Sequence, residues 1–164
     1  MRTTSALAAL AIAAAAAHAQ PHATDILLDA STGAIRTGTF EPGVGPHFPE
    51  RLFLAELGAA FPSFASDPGF DCFPGTFDPS TSIGFRIHGP LLRWDGSAFP
   101  PASGGEMLIE YITLSRQTPT TDTVVTGFTL RVGSNGQWHR HLDYTLLPPA
   151  ENGVYLLELT LFHT

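Results

Sequence analysis

The chain is most legible where apolar and polar side chains take turns. In "WHRHLDYTLL" (138–147), Trp138, Leu142, Tyr144 and Leu146 fall in one register, and His139, His141, Asp143 and Thr145 in the other. A period of two is the mark of a strand with one buried face. Similar short runs recur as "DILLD" (25–29), "AIRTGTF" (34–40), "RLFLAEL" (51–57), "IGFRIHG" (83–89), "EMLIEYITL" (106–114), "VVTGFTLRV" (124–132) and "VYLLELTLF" (154–162). Glycine, proline, asparagine and aspartate punctuate them, which is turn chemistry. A helix competes in one place, "ERLFLAELGAAF" (50–61), where Gly58 stands near its end. The stretch 61–82, rich in Pro, Gly, Asp and Phe, reads as a long packed surface loop. Eight such strands predict one all-β domain, a two-sheet antiparallel β-sandwich of Ig-like or jelly-roll-like type.

The last two runs are joined by "PPAENG". Pro148 and Pro149 stop the first, and Asn152-Gly153 tolerates a tight turn. A hairpin is the expectation, with Trp138, Leu142, Tyr144 and Leu146 meeting the Tyr155, Leu157, Leu159, Leu161 row on the buried side. The other face then carries His139, His141 and Asp143 beside Glu158 and Thr160.

Composition changes the picture at three points. "MRTTSALAALAIAAAAAHA" (1–19) has a basic Arg2, an apolar alanine-rich run and an A-x-A end, the pattern of a secretory signal peptide. Residues 20–164 are then the single mature domain, secreted to the periplasm or beyond, with no membrane span left after cleavage. The chain has no lysine and a formal charge of −7, which disfavours nucleic acid and anionic lipid as partners. Cys72 is the lone cysteine, so no internal disulfide forms; with Phe70 and Phe73 close by, it is expected to be buried.

Candidate chemistry centres on His139 and His141. Alternate strand residues leave the same face, and two imidazoles so placed can lean onto one ion. Nitrogen and oxygen donors without thiolate favour Zn²⁺, with Cu²⁺ as the alternative. Asp143 or Glu158 would orient or complete the set, and His22, His47, His88 and His163 are further donors, of which His22 is favoured. Such ligands bind metal deprotonated, so binding should weaken as pH falls through the histidine range. The opposing reading is a solvated strand face where these residues do nothing. Gln20-Pro21-His22 fails as an amino-terminal Cu²⁺ chelate, because Pro21 has no amide hydrogen to lose. "GSNGQWHRH" (133–141) matches the opening of the cupin pattern, but Thr145 and Leu146 stand where its glutamate is required.

These segments together, "HATDILLDASTGAIRTG", "DPGFD", "IGFRIHGPLLRWDG" and "WHRHLDYTLLPPAENGVYLLELTL", resemble a group of bacterial secreted all-β proteins that often end in a PEP-CTERM sorting tail. One branch of that group looks like the zinc-regulated (Zur-repressed) PEP-CTERM proteins. The H-x-H with "GVYLLEL" is also similar to actinobacterial surface-anchored repeats associated with metal-uptake transporters. The resemblance implies a metal, zinc above all, at His22, His139 and His141. The chain departs from the group at "LFHT", where no sorting tail follows, so surface attachment is not implied.

Other constellations carry less. Asp67, Asp71 and Asp78 fit no calcium-loop spacing and read as turn carboxylates. Trp94 reads as core, with sugar stacking as its alternative. No G-x-S-x-G, phosphate loop or C-x-x-C occurs, and the absence of lysine excludes Schiff-base chemistry. The sequence therefore predicts a non-catalytic zinc-binding module. A surface or matrix module that binds polysaccharide or protein is the rival, and a metallohydrolase comes third.

Overall fold

The structure, a computed structural model, describes residues 21–164. The expected signal peptide (1–19) lies outside the described residues. In chain order the strands are β1 (Ile26–Asp29), β2 (Arg36–Glu41), β3 (Gly45–His47), β4 (Phe64–Ala65), β5 (Phe70–Asp71), β6 (Ser82–His88), β7 (Leu92–Arg93), β8 (Met107–Tyr111), β9 (Leu114–Gln117), β10 (Val124–Arg131), β11 (Asp143–Leu146), β12 (Tyr155–Leu156) and β13 (Leu159–His163). No helix occurs among the described residues, so no helix there is long and apolar enough to cross a membrane.

The thirteen strands form several sheets rather than the expected two, in the orders β3-β2-β1-β5, β10-β6-β13, β4-β11-β8-β9 and β12-β7. Alternation decides which side chains turn inward. In β6, Ile83, Phe85 and Ile87 are buried while Arg86 and His88 face out. Ile26 and Leu28 of β1, Met107 and Ile109 of β8, and Tyr144 and Leu146 of β11 join them, with Cys72, Trp138 and Leu142, in one core cluster. Each fully buried aliphatic side chain here contributes roughly 1.5–3 kcal/mol over an exposed one. β10 bulges between Thr126 and Thr129, and a Cβ on Gly127 would come within 2.4 Å of the Phe85 ring. A side chain there would push that ring out of the core.

Several expectations about the elements need correction. "RLFLAEL" is neither strand nor helix: residues 48–56 run as a strap without regular structure, and Gly58 beyond them has φ +96°. Only Phe53 and Leu57 of this segment pack on the core, while Leu52 and Leu54 stay exposed. "EMLIEYITL" is broken into β8 and β9 by a turn at Ile112-Thr113, and Ile112 takes φ +57° there. The 61–82 loop contains two short strands, β4 and β5, and β5 becomes central to the site.

The expected terminal hairpin does not form. β11 lies between β4 and β8, whereas β12 pairs with β7 and β13 with β6. The "PPAENG" connection crosses to another sheet because β7 captures it. Arg93 of β7 donates to Glu151 Oε2 at 2.7 Å and to the Asn152 carbonyl at 3.0 Å, and Trp94 N donates to the Val154 carbonyl at 2.9 Å.

Candidate metal centre

β5 builds the site by serving two neighbours at once. Along one edge it runs parallel to β1, with Ile26 opposite Phe70 and Leu27 opposite Asp71. Along the other, Phe70 and Arg140 exchange both backbone hydrogen bonds, at 2.8 and 2.9 Å. The strand expected over 138–147 forms only as β11: residues 138–142 are irregular apart from the isolated bridge at Arg140, and it is from either side of that bridged residue that His139 and His141 bring their imidazoles together. Trp138, just before them, is pinned by its backbone N–H to Cys72 Sγ at 3.1 Å and by its indole N–H to the Leu130 carbonyl at 3.1 Å. Burial pushes the Cys72 thiol pKa up, leaving it a neutral packing group at neutral pH.

Asp25 immediately precedes β1, and its N–H closes a turn on the His22 carbonyl at 3.2 Å. That turn folds His22 back over Asp25, towards the two histidines from the far end of the chain. His22, Asp25, His139 and His141 each offer one donor atom, and these atoms all lie within 4.8 Å of one another. His139 Nε2 is 3.0 Å from His141 Nε2. From Asp25 Oδ2 the distances are 3.4 Å to His22 Nδ1, 3.4 Å to His139 Nε2 and 3.7 Å to His141 Nε2.

A tetrahedral ion with donors at about 2.0–2.1 Å has donor–donor edges of roughly 3.3 Å. The separations among Asp25, His139 and His141, and from Asp25 to His22, at 3.0–3.7 Å, bracket that edge. The carboxylate adds a second fit. Asp25 is 1% exposed; its Oδ1 accepts the Gly69 N–H at 3.2 Å, but its Oδ2 accepts no hydrogen bond although three imidazoles face it. A buried carboxylate oxygen left without a donor is costly, and a cation among the imidazoles would satisfy it. The group therefore has the donors and the spacing to hold a metal ion.

His141 is the most tightly oriented of the imidazoles. Its Nδ1 lies 3.2 Å from the Ser66 carbonyl and 3.0 Å from Asp67 Oδ1, so with the proton on Nδ1 its Nε2 lone pair points at the cluster. Gly69 packs beneath it; a Cβ at that position would sit 2.7 Å from the ring. His22 packs edge-on against His139, with ring centroids 4.7 Å apart.

Of the residues singled out from sequence, the structure brings together His22, His139 and His141. Asp143 and Glu158 are not in the group. Asp143 opens β11 opposite Glu110 of β8, and Glu158 is an exposed residue between β12 and β13, on the strand pair that the missing hairpin removed from His139. His47 is on β3 near Glu41, and His88 and His163 lie on the exposed sides of β6 and β13. The donor that sequence reasoning missed is Asp25. Its signal was its place three residues after His22 and one before an apolar strand, where it looks like an ordinary turn residue.

Asp67, Asp71 and Asp78 separate in role. Asp78 caps its own turn by accepting the Ser80 N–H, as expected, whereas Asp67 meets His141 and Asp71 is buried. Trp94 is not core: it is 42% exposed and rests on Phe99, ring centroids 5.0 Å apart. No family model, curated protein or solved structure matches the chain.

Proposed function

We propose that the protein is a secreted, non-catalytic β-sandwich that binds one zinc ion through His22, Asp25, His139 and His141. The observation that carries this reading is the buried Asp25 carboxylate, with one oxygen unpartnered and three imidazole nitrogens at 3.4–3.7 Å from it. Three imidazole nitrogens and one carboxylate oxygen, without thiolate, suit Zn²⁺, with Cu²⁺ as the alternative. Four protein donors on one ion would fill a tetrahedral set, which suits holding an ion better than activating a water on it. The likeness of the histidine segments to zinc-regulated PEP-CTERM proteins points the same way, as does the signal-peptide pattern for secretion.

Calorimetric titration of metal-stripped protein with Zn²⁺ tests the reading. One equivalent should bind to the wild type and none to a His139→Ala/His141→Ala double variant; equal heats from the two proteins would sink it. A second reading, recognition of polysaccharide or protein, is favoured by the exposed Trp94–Phe99 pair alone. Glycan-array binding that survives chelation and is lost in Trp94→Ala would support that reading.

A further inference from the structure

All four donors are held by one short stretch, Ser66–Asp71, which supplies none of the four itself. The Ser66 carbonyl and Asp67 Oδ1 face His141 Nδ1, at 3.2 and 3.0 Å. The Gly69 N–H holds Asp25 Oδ1 at 3.2 Å, and the Gly69 carbonyl accepts the Ile26 N–H at 2.8 Å, fixing the residue after Asp25. Phe70 bridges Arg140, between the two histidines. Asp71 faces both ends of the site: its Oδ2 takes the His22 N–H at 3.4 Å, and its Oδ1 takes Gln137 Nε2 at 3.0 Å and the Cys72 N–H at 2.8 Å.

Asp71 is only 1% exposed. A buried carboxylate needs several donors to offset its lost hydration, and an apolar residue would pack there without that cost. What the carboxylate adds is a joint between the His22 turn and the Gln137–His141 loop. Asp67 is the opposite case. Its side chain is 69% exposed, so packing does not account for its position against His141 Nδ1, whereas a carboxylate behind a metal-binding imidazole both orients the ring and strengthens the nitrogen on the far side.

We infer that Ser66–Asp71 is the outer shell of the metal centre, in which Asp67 and Asp71 are positioning residues, Asp67 for His141 and Asp71 for His22. The inference rests on the zinc-binding reading.

The test is competitive titration of Zn²⁺ against a chromogenic chelator, with the visible spectrum of bound Co²⁺ as a reporter of geometry. Asp67→Ala should bind Zn²⁺ about tenfold or more weakly, within the 10–100-fold range of outer-shell losses. It should keep a one-to-one stoichiometry and the unfolding midpoint of the metal-free wild type, while its Co²⁺ bands lose tetrahedral intensity. Asp67→Glu should recover most of the affinity, because its carboxylate can still reach Nδ1 from solvent.

For Asp71 the discriminating measurement is a double-mutant cycle. Asp71→Asn leaves one oxygen to accept where two serve now, and should weaken Zn²⁺ binding in the wild type but little further in a His22→Ala background. Equal losses in both backgrounds would mean that Asp71 serves the fold and not His22, and would overturn its assignment. If Asp71→Asn does not fold, the Asp67 series decides alone. Wild-type affinity in Asp67→Ala overturns the inference and leaves the zinc reading standing. Failure of the wild type to bind Zn²⁺ removes the reading on which it rests.

Discussion

Gly69 has no side chain because the His141 ring occupies that space. A methyl group there would lie 2.7 Å from the ring's Cε1, inside van der Waals contact. Gly69→Ala should therefore displace the imidazole, lower Zn²⁺ affinity and destabilise the metal-free protein by about 1–3 kcal/mol, the usual cost of overpacking. Urea denaturation in chelator and a Zn²⁺ titration of the same variant check both parts. At this scale the sequence was readable where alternation is local: two residues on either side of a paired one must share a face, and so His139 and His141 converge. It was silent on Asp25 and Asp71, since burial of a carboxylate follows from contacts across tens of residues, and a short polar residue beside a strand looks the same whether it is dry or wet.

At the scale of elements, alternation located most strands but not their partners. β6 follows it closely, because Ile83, Phe85 and Ile87 make an inward apolar row that fixes its register, whereas β10 breaks the alternation at its bulge between Thr126 and Thr129. The β8–β9 turn was hidden because no glycine, asparagine or proline marks it. Ile112 occupies its left-handed position at φ +57° and is 85% exposed, so no packing gain offsets the strain. A β-branched residue in that conformation is disfavoured by roughly 1–2 kcal/mol. Ile112→Asn should stabilise the fold by about 1 kcal/mol, read as a higher urea midpoint with an unchanged slope.

The missing terminal hairpin has a related cause. A short Pro- and Gly-containing link permits antiparallel return but does not compel it, and here Arg93 of β7 draws the link to a different sheet. The β1–β2 pair is clipped by a local charge. Burial would raise the Asp29 pKa, but hydrogen bonds from Arg36 and Ser31 outweigh it and hold the carboxyl below its ordinary value. A lowered folded pKa contributes stability that is present above the unfolded value and is lost as pH falls through the acid range. Arg36→Met should therefore flatten the fall in urea midpoint between about pH 5 and pH 3.

For the whole molecule, the four donors come from two distant parts of the chain, which β5 joins through β1 on one edge and Arg140 on the other. An ion bound to them ties the turn before β1 to the loop before β11, and so binds the folded chain in preference to the unfolded one. At a hundredfold excess over its dissociation constant, Zn²⁺ should add about 2.7 kcal/mol of stability and raise the unfolding midpoint by several degrees. Differential scanning calorimetry with and without Zn²⁺ should show that rise in the wild type and none in the His139→Ala/His141→Ala variant. Neither end of the chain offers a complete claw, since His22 and Asp25 come from one part and His139 and His141 from the other. A chain still without its shape would therefore travel empty, and would take up its cargo only once folded.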